Sequence, residues 1–161
     1  MPKRELNTRH VAGALLVGLL LLAACGRETV YYHYETTPRL GWEKNDSLTY
    51  NTAPFMQGGL YAEDIGIRIT NDFPFTQLVL VVEQTILPKG DVQRDTLVCR
   101  LIDEQGNTLG PGVDHYQYMF PLSTITLQEN ERLHVALWHN MKREILPGIT
   151  DIGLRIDRKE P

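Results

Sequence analysis

Asp64-Ile65-Gly66-Ile67-Arg68-Ile69-Thr70 decides the fold. Its isoleucines recur at every second position, and a strand gathers such residues on one face while Asp64, Gly66, Arg68 and Thr70 take the other. The same period extends along the chain. Gln77 to Ile86 is nearly continuous in Leu and Val and predicts a central strand covered at least in part on both faces. Leu97, Cys99 and Leu101 share a face, as do Tyr116, Tyr118 and Phe120, then Leu133, Val135 and Leu137, and finally Ile152, Leu154 and Ile156. Turn residues separate these runs at Gly58-Gly59, Asn71 to Pro74, Pro88 to Asp91, Glu104 to Asn107, Gly110-Pro111-Gly112 and Pro147-Gly148. Seven or eight short strands so spaced predict an all-β fold, an antiparallel β-sandwich of immunoglobulin-like or jelly-roll-like form. Only Asn140 to Leu146 reads as a turn or two of helix. No repeat of 20 to 50 residues suggests a propeller or solenoid.

Upstream of the strands the chain changes character. Lys3, Arg4 and Arg9 precede Val11 to Ala24, an uncharged run of 14 residues, too short for the ~18 apolar residues of a spanning helix. Residues 1–24 therefore read as a cleaved signal peptide. The site Leu22-Ala23-Ala24-Cys25 is similar to the bacterial lipobox, where cleavage precedes a cysteine carrying a diacylglyceryl group. Two acyl signals suffice for stable anchoring, so Cys25 is the expected lipidation site and a membrane the first expected partner. Gly26 stands where an Asp would resemble an inner-membrane retention signal, which favours the outer membrane. Residues 25–45 are expected to form the lipidated N-terminus and tether, and 46–161 the sandwich domain. The four aromatics Tyr31, Tyr32, Tyr34 and Trp42 are unusual for a solvated linker, so the later part of the tether is expected to lie against the domain.

The charge balance and the polar residues narrow the function. Sixteen basic and twenty acidic side chains give −4; removing Lys3, Arg4, Arg9 and Glu5 with the signal leaves thirteen and nineteen, hence −6. An acidic body without a basic tract argues against nucleic-acid binding. Export excludes a cytoplasmic enzyme, and the length excludes a multi-domain machine. Ser47 and Ser123 lie in no Gly-x-Ser-x-Gly elbow. Cys99, in register with Leu97 and Leu101, is expected to be an inert core residue. His134 and His139 differ by five and fall on opposite strand faces, and with His33 and His115 they are expected at the surface or an edge, with no metal site and no cofactor. Glu63 and Asp64, being adjacent, cannot pair as acid and base on one face. Gly153 removes a side chain in mid-strand, on the face shared by Asp151 and Arg155. Two readings stand: a bulge beside an Asp151–Arg155 ion pair, or a partner surface.

As a whole, the mature chain resembles the gliding-motility lipoprotein family GldH of Bacteroidetes. The resemblance rests on the lipobox cysteine, Val30 to Tyr34, Gly41-Trp42, Asp95 to Leu101, Asp103 to Gly106, Gly110-Pro111-Gly112 and above all the ordered Leu146-Pro147-Gly148 and Gly153-Leu154-Arg155-Ile156. It implies a place in surface gliding and the linked type IX secretion machinery, with envelope motility and secretion proteins as partners. It supplies no catalytic residues. Asp46-Ser47-Leu48 and Asp95-Thr96-Leu97 are similar to the acceptor of the O-glycosylation system in that phylum, which makes Ser47 and Thr96 candidate acceptors. The expectation is a non-enzymatic, membrane-anchored accessory or scaffold lipoprotein. A carbohydrate- or peptide-binding lipoprotein for nutrient capture and an exported hydrolase with an unorthodox site are the alternatives. Oligomeric state is not legible.

Overall fold

A computed structural model describes residues 28–159; the signal peptide 1–24 and Cys25 lie outside the described residues. Ten strands follow one another with no helix among the described residues: β1 (Glu28–Thr36), β2 (Trp42–Glu43), β3 (Leu48–Asn51), β4 (Gly59–Thr70), β5 (Gln77–Leu87), β6 (Asp91–Arg100), β7 (His115–Leu127), β8 (Arg132–His139), β9 (Ile145–Leu146) and β10 (Ile149–Arg158). Eight of them build two four-stranded sheets, ordered β1-β10-β4-β7 and β3-β8-β5-β6, and every pairing is antiparallel. The all-β sandwich expected from the period of two is the architecture found.

The isoleucines of β4 face inward with Ile152, Leu154 and Ile156 of β10, and meet Leu78, Leu80 and Val82 of β5 and Leu133, Val135 and Leu137 of β8 in one core. β5 is central, between β8 and β6. Two tyrosines close the open sides of the sandwich. On one, Tyr50 of β3 donates to the Ile152 carbonyl of β10 at 2.8 Å; on the other, Tyr118 of β7 donates to the Leu101 carbonyl at 2.9 Å. Buried hydroxyls with such partners avoid the desolvation penalty and fix the sheets relative to each other. Pro121 sits in β7, an edge strand where the missing N–H is harmless, at the register shift between Glu63 and Asp64 of β4.

Two expectations need correction. The sandwich does not begin at Asp46: β1 pairs with β10 from Glu28↔Arg158 to Thr36↔Asp151, so the presumed tether supplies a whole strand. Trp42 is also fully buried, its Nε1 donating to the Asp46 carbonyl at 3.0 Å. Nor is there a helix between Asn140 and Leu146. Ile145 and Leu146 pair with Glu43 and Trp42 as a short ribbon, which Lys44 N–H to Glu144 carbonyl at 2.8 Å extends. Backbone groups that a helix would satisfy locally are taken by β2, from a hundred residues upstream.

Candidate interaction face

Gly153 lies on the outer face of the sheet β1-β10-β4-β7. Its neighbours there are fixed by register: Tyr34 on one side and Gly66 on the other, so two glycines stand opposite each other on adjacent strands. The bulge reading fails, because the irregularity in β10 falls between Ile149 and Asp151. What the glycines accommodate is an aromatic ring of the same chain. A Cβ on Gly153 would lie 2.7 Å from Tyr34 Cε1, and one on Gly66 only 2.2 Å from Tyr34 Oη. The ring of Tyr34 lies across the sheet in a trough that two missing side chains create. The Arg68 guanidinium lies over this ring, 4.0 Å from its centroid. Tyr32 completes the group, its ring edge-on to Tyr34 at 5.5 Å.

Electrostatics hold the flanks. Arg155 does not pair with Asp151. Its Nε donates to Asp157 Oδ1 at 2.9 Å and its Nη2 lies 2.8 Å from Asp157 Oδ2, while Thr29 Oγ1 donates to Asp157 Oδ1 at 2.7 Å. The Asp157 carboxylate is wholly shielded from solvent, and its hydrogen bond from Arg155 Nε raises the Arg155 pKa. Asp151 instead accepts from Thr36 Oγ1 at 3.0 Å, tying β10 to β1. Burial, followed by the hydrogen bond with Tyr32, raises the Tyr34 pKa, so the phenol stays neutral. Tyr32, Arg68, Arg155 and Met119 thus share a face with Asp151 and Gly153. Aromatic, Arg and Met side chains are the types enriched where proteins meet proteins.

The other candidate residues scatter. Ser47 and Thr96 are both exposed, on the side of the opposite sheet. Thr96 pairs with Val81, which pairs with Trp138, and Trp138 shares a shallow cleft with Ser47. His33 contacts Glu35 at 3.0 Å and His134 Nδ1 lies 2.7 Å from Asn51 Oδ1. His139, expected at the surface, is fully buried against Trp42, whose carbonyl lies 3.1 Å from its Nε2; burial lowers its pKa. Cys99 is fully buried, and desolvation pushes its thiol up to about 12. Among the described residues no three potential metal ligands converge.

Sequence reasoning missed one polar site. Glu63 is buried between the sheets, its Oε2 accepting from Ser123 Oγ at 2.6 Å and from Gln84 Nε2 at 3.0 Å. Desolvation raises its pKa against both hydrogen bonds. No histidine joins this pair, and the carboxyl faces the core rather than a cleft. The signal that could have found it is a Glu placed in step with Ile65, Ile67 and Ile69. The signal for the trough is a glycine on the outward parity of two strands.

The family model of the GldH lipoprotein matches residues 29–156. The chain belongs to the GldH lipoprotein family. Among curated relatives, the gliding motility lipoprotein GldH of Flavobacterium johnsoniae is 26% identical over 156 residues, covering 92% of this chain and 97% of that protein. The gliding motility lipoprotein GldH homolog of Christiangramia forsetii is 25% identical over 151 residues, covering 88% and 91%. The span matched by the GldH family runs from the second residue of β1 into the end of β10, and so contains both glycines of the trough and the tyrosine that fills it.

Proposed function

We propose that this protein is held by a lipidated Cys25 in the outer membrane and serves gliding motility and the linked type IX secretion machinery as a non-enzymatic accessory or scaffold. The observation that carries this reading is the outer face around Gly153, where Tyr34 lies flat in the glycine trough beneath Arg68 and Tyr32 stands beside it. Such a face is pre-organised, which lowers the ordering cost of association. The names of the Flavobacterium and Christiangramia relatives supply the process.

The exposure of Ser47 and Thr96 supports their use as glycan acceptors. Glycans there would cover the sheet β3-β8-β5-β6 and leave the trough face open to protein. The nutrient-capture reading has less support. A sugar platform needs an open aromatic face, whereas Arg68 lies over Tyr34 and Tyr32 packs edge-on against it.

Crosslinking in intact cells followed by purification from membranes tests the proposal. Motility or secretion proteins recovered with the wild type and lost with Tyr32→Ala and Arg68→Ala support it. Recovery of glycans alone, or of nothing, refutes it.

A further inference from the structure

We infer that the end of the sandwich at which β1 begins rests on the lipid bilayer, with Met56 inserted among the lipids as a second contact beside the anchor. This rests on the lipidation of Cys25 proposed above. Only Gly26 and Arg27 separate Cys25 from Glu28, the first residue of β1. Three residue steps reach about 10 Å at most. Because Glu28 is already paired with Arg158, the body cannot drift away on a long tether. Whatever protrudes at this end meets the membrane.

Beside the charged turns at Lys89 and Glu129, one loop that protrudes there is apolar. The β3–β4 connection includes Ala53-Pro54-Phe55-Met56-Gln57-Gly58, six residues without a charge. Met56 is 83% exposed, Leu60 50% and Val30 41%. The connection is also held firmly. Phe55 N–H donates to the Glu131 carbonyl at 2.8 Å, the Phe55 carbonyl accepts from Asn130 N–H at 2.8 Å, and the Phe55 ring packs 4.7 Å from that of Tyr61. A buried Phe fastened on both backbone groups turns the next side chain outward. Between Met56 and the first residues of β1 opens a cleft of about 380 Å³, lined by Val30, Tyr31, Pro54 and Phe55 and flanked by Arg158. Methionine adapts to irregular apolar surroundings, and the polar groups of the rim suit the headgroup layer.

The far end of the sandwich also exposes an apolar side chain, Leu40, at 96%. It lies beyond the other end of β1, roughly 27 Å away along a strand of nine residues. Chain continuity with Cys25 therefore selects the Met56 end.

The test uses the full, lipid-modified chain in phosphatidylethanolamine–phosphatidylglycerol vesicles. Met56→Cys, Leu60→Cys and Leu40→Cys each take an environment-sensitive fluorophore, Cys99 being buried and slow to react. With spin-labelled lipid as quencher, the probes at 56 and 60 should be quenched several-fold more than the probe at 40. Equal quenching at the two ends, or none at 56 and 60 in protein that has incorporated labelled palmitate, overturns the inference and leaves the anchor standing. Absence of palmitate in the wild-type protein overturns the anchor and this contact together.

Discussion

Gln84 of β5 and Glu63 of β4 join the two sheets through the core, Gln84 Nε2 donating to Glu63 Oε2 at 3.0 Å. The other oxygens, Glu63 Oε1 and Gln84 Oε1, have no donor among the described residues. Two acceptors without a donor are expensive in an interior, and an added negative charge more so.

This arrangement sets a pH dependence. The folded-state pKa of Glu63 is raised above its ordinary 4.5, chiefly by desolvation, so the folded protein holds this proton more tightly than the unfolded chain. Its stabilising contribution is fully present below the unfolded value and declines as pH rises through the folded one. Glu63→Gln keeps the acceptor and replaces the unmatched oxygen with a donor. It should be the more stable protein at neutral pH, and should lose the part of the pH profile due to this group. Urea unfolding of both proteins from pH 4 to 8 measures the difference; parallel profiles would refute the assignment.

The trough predicts coupling between residues 119 positions apart in sequence, Tyr34 and Gly153. Gly153→Ala forces the ring from its seat and should destabilise by about 1–3 kcal/mol, the usual range for overpacking. In a Tyr34→Ala background the same change should be neutral or stabilising, since Ala loses less backbone entropy than Gly. A double-mutant cycle by chemical denaturation reads this directly. Additive losses would mean that the ring is not what requires the glycine.

Arg155→Ala would leave the Asp157 carboxylate in place without its cation, shielded from solvent. The cost should be about 2–4 kcal/mol, because an uncompensated buried charge remains. Arg155→Ala combined with Asp157→Asn should recover much of that loss in thermal unfolding. No recovery would show that Arg155 matters through its packing.

Cys99 should react with a thiol reagent only as fast as the domain opens. At pH 8 a thiol with a pKa of about 12 is ionised to about one part in ten thousand, and this one is also buried. Denaturant should restore full reactivity. Rapid stoichiometric labelling of the native protein would contradict the strand face assigned to it.

Cys25→Ser should abolish incorporation of labelled palmitate and leave a longer, uncleaved precursor. Equal labelling of mutant and wild type would remove the lipobox reading.

The parts of the fold legible in sequence are those where a strand has one dry and one wet face. Ile65-Gly66-Ile67-Arg68-Ile69 and Leu133 to Leu137 show the alternation because solvent and core select opposite residues. β1 was hidden for the converse reason: as an edge strand it is exposed or half-exposed throughout, so its aromatics follow no simple period. A register shift between Thr29 and Tyr31 interrupts it further. β9 has two residues, too few for any period to exist. The trough could be placed on the correct face from the parity of Gly153, but Tyr34 reaches it only through pairing between the two ends of the domain. His139 was misjudged because it was assigned to the surface, whereas it finds an internal hydrogen bond; Glu63 was placed on the face opposite Asp64, but that face was not followed into the core, where Gln84 meets it.

The place of β10 between β1 and β4 has a consequence for biogenesis. The first strand to leave the export channel can pair in its sheet only with the last. Until residues 149–158 have crossed the membrane, β1 has no partner and one side of β4 remains open. The sheet therefore cannot close progressively during translocation, and its completion waits for a contact of very long sequence separation, the kind that slows folding and prolongs exposure of strand edges. A chain cut short before Ile149 would lose two strands rather than one, and would present the export compartment with an unpaired β1 attached to the membrane.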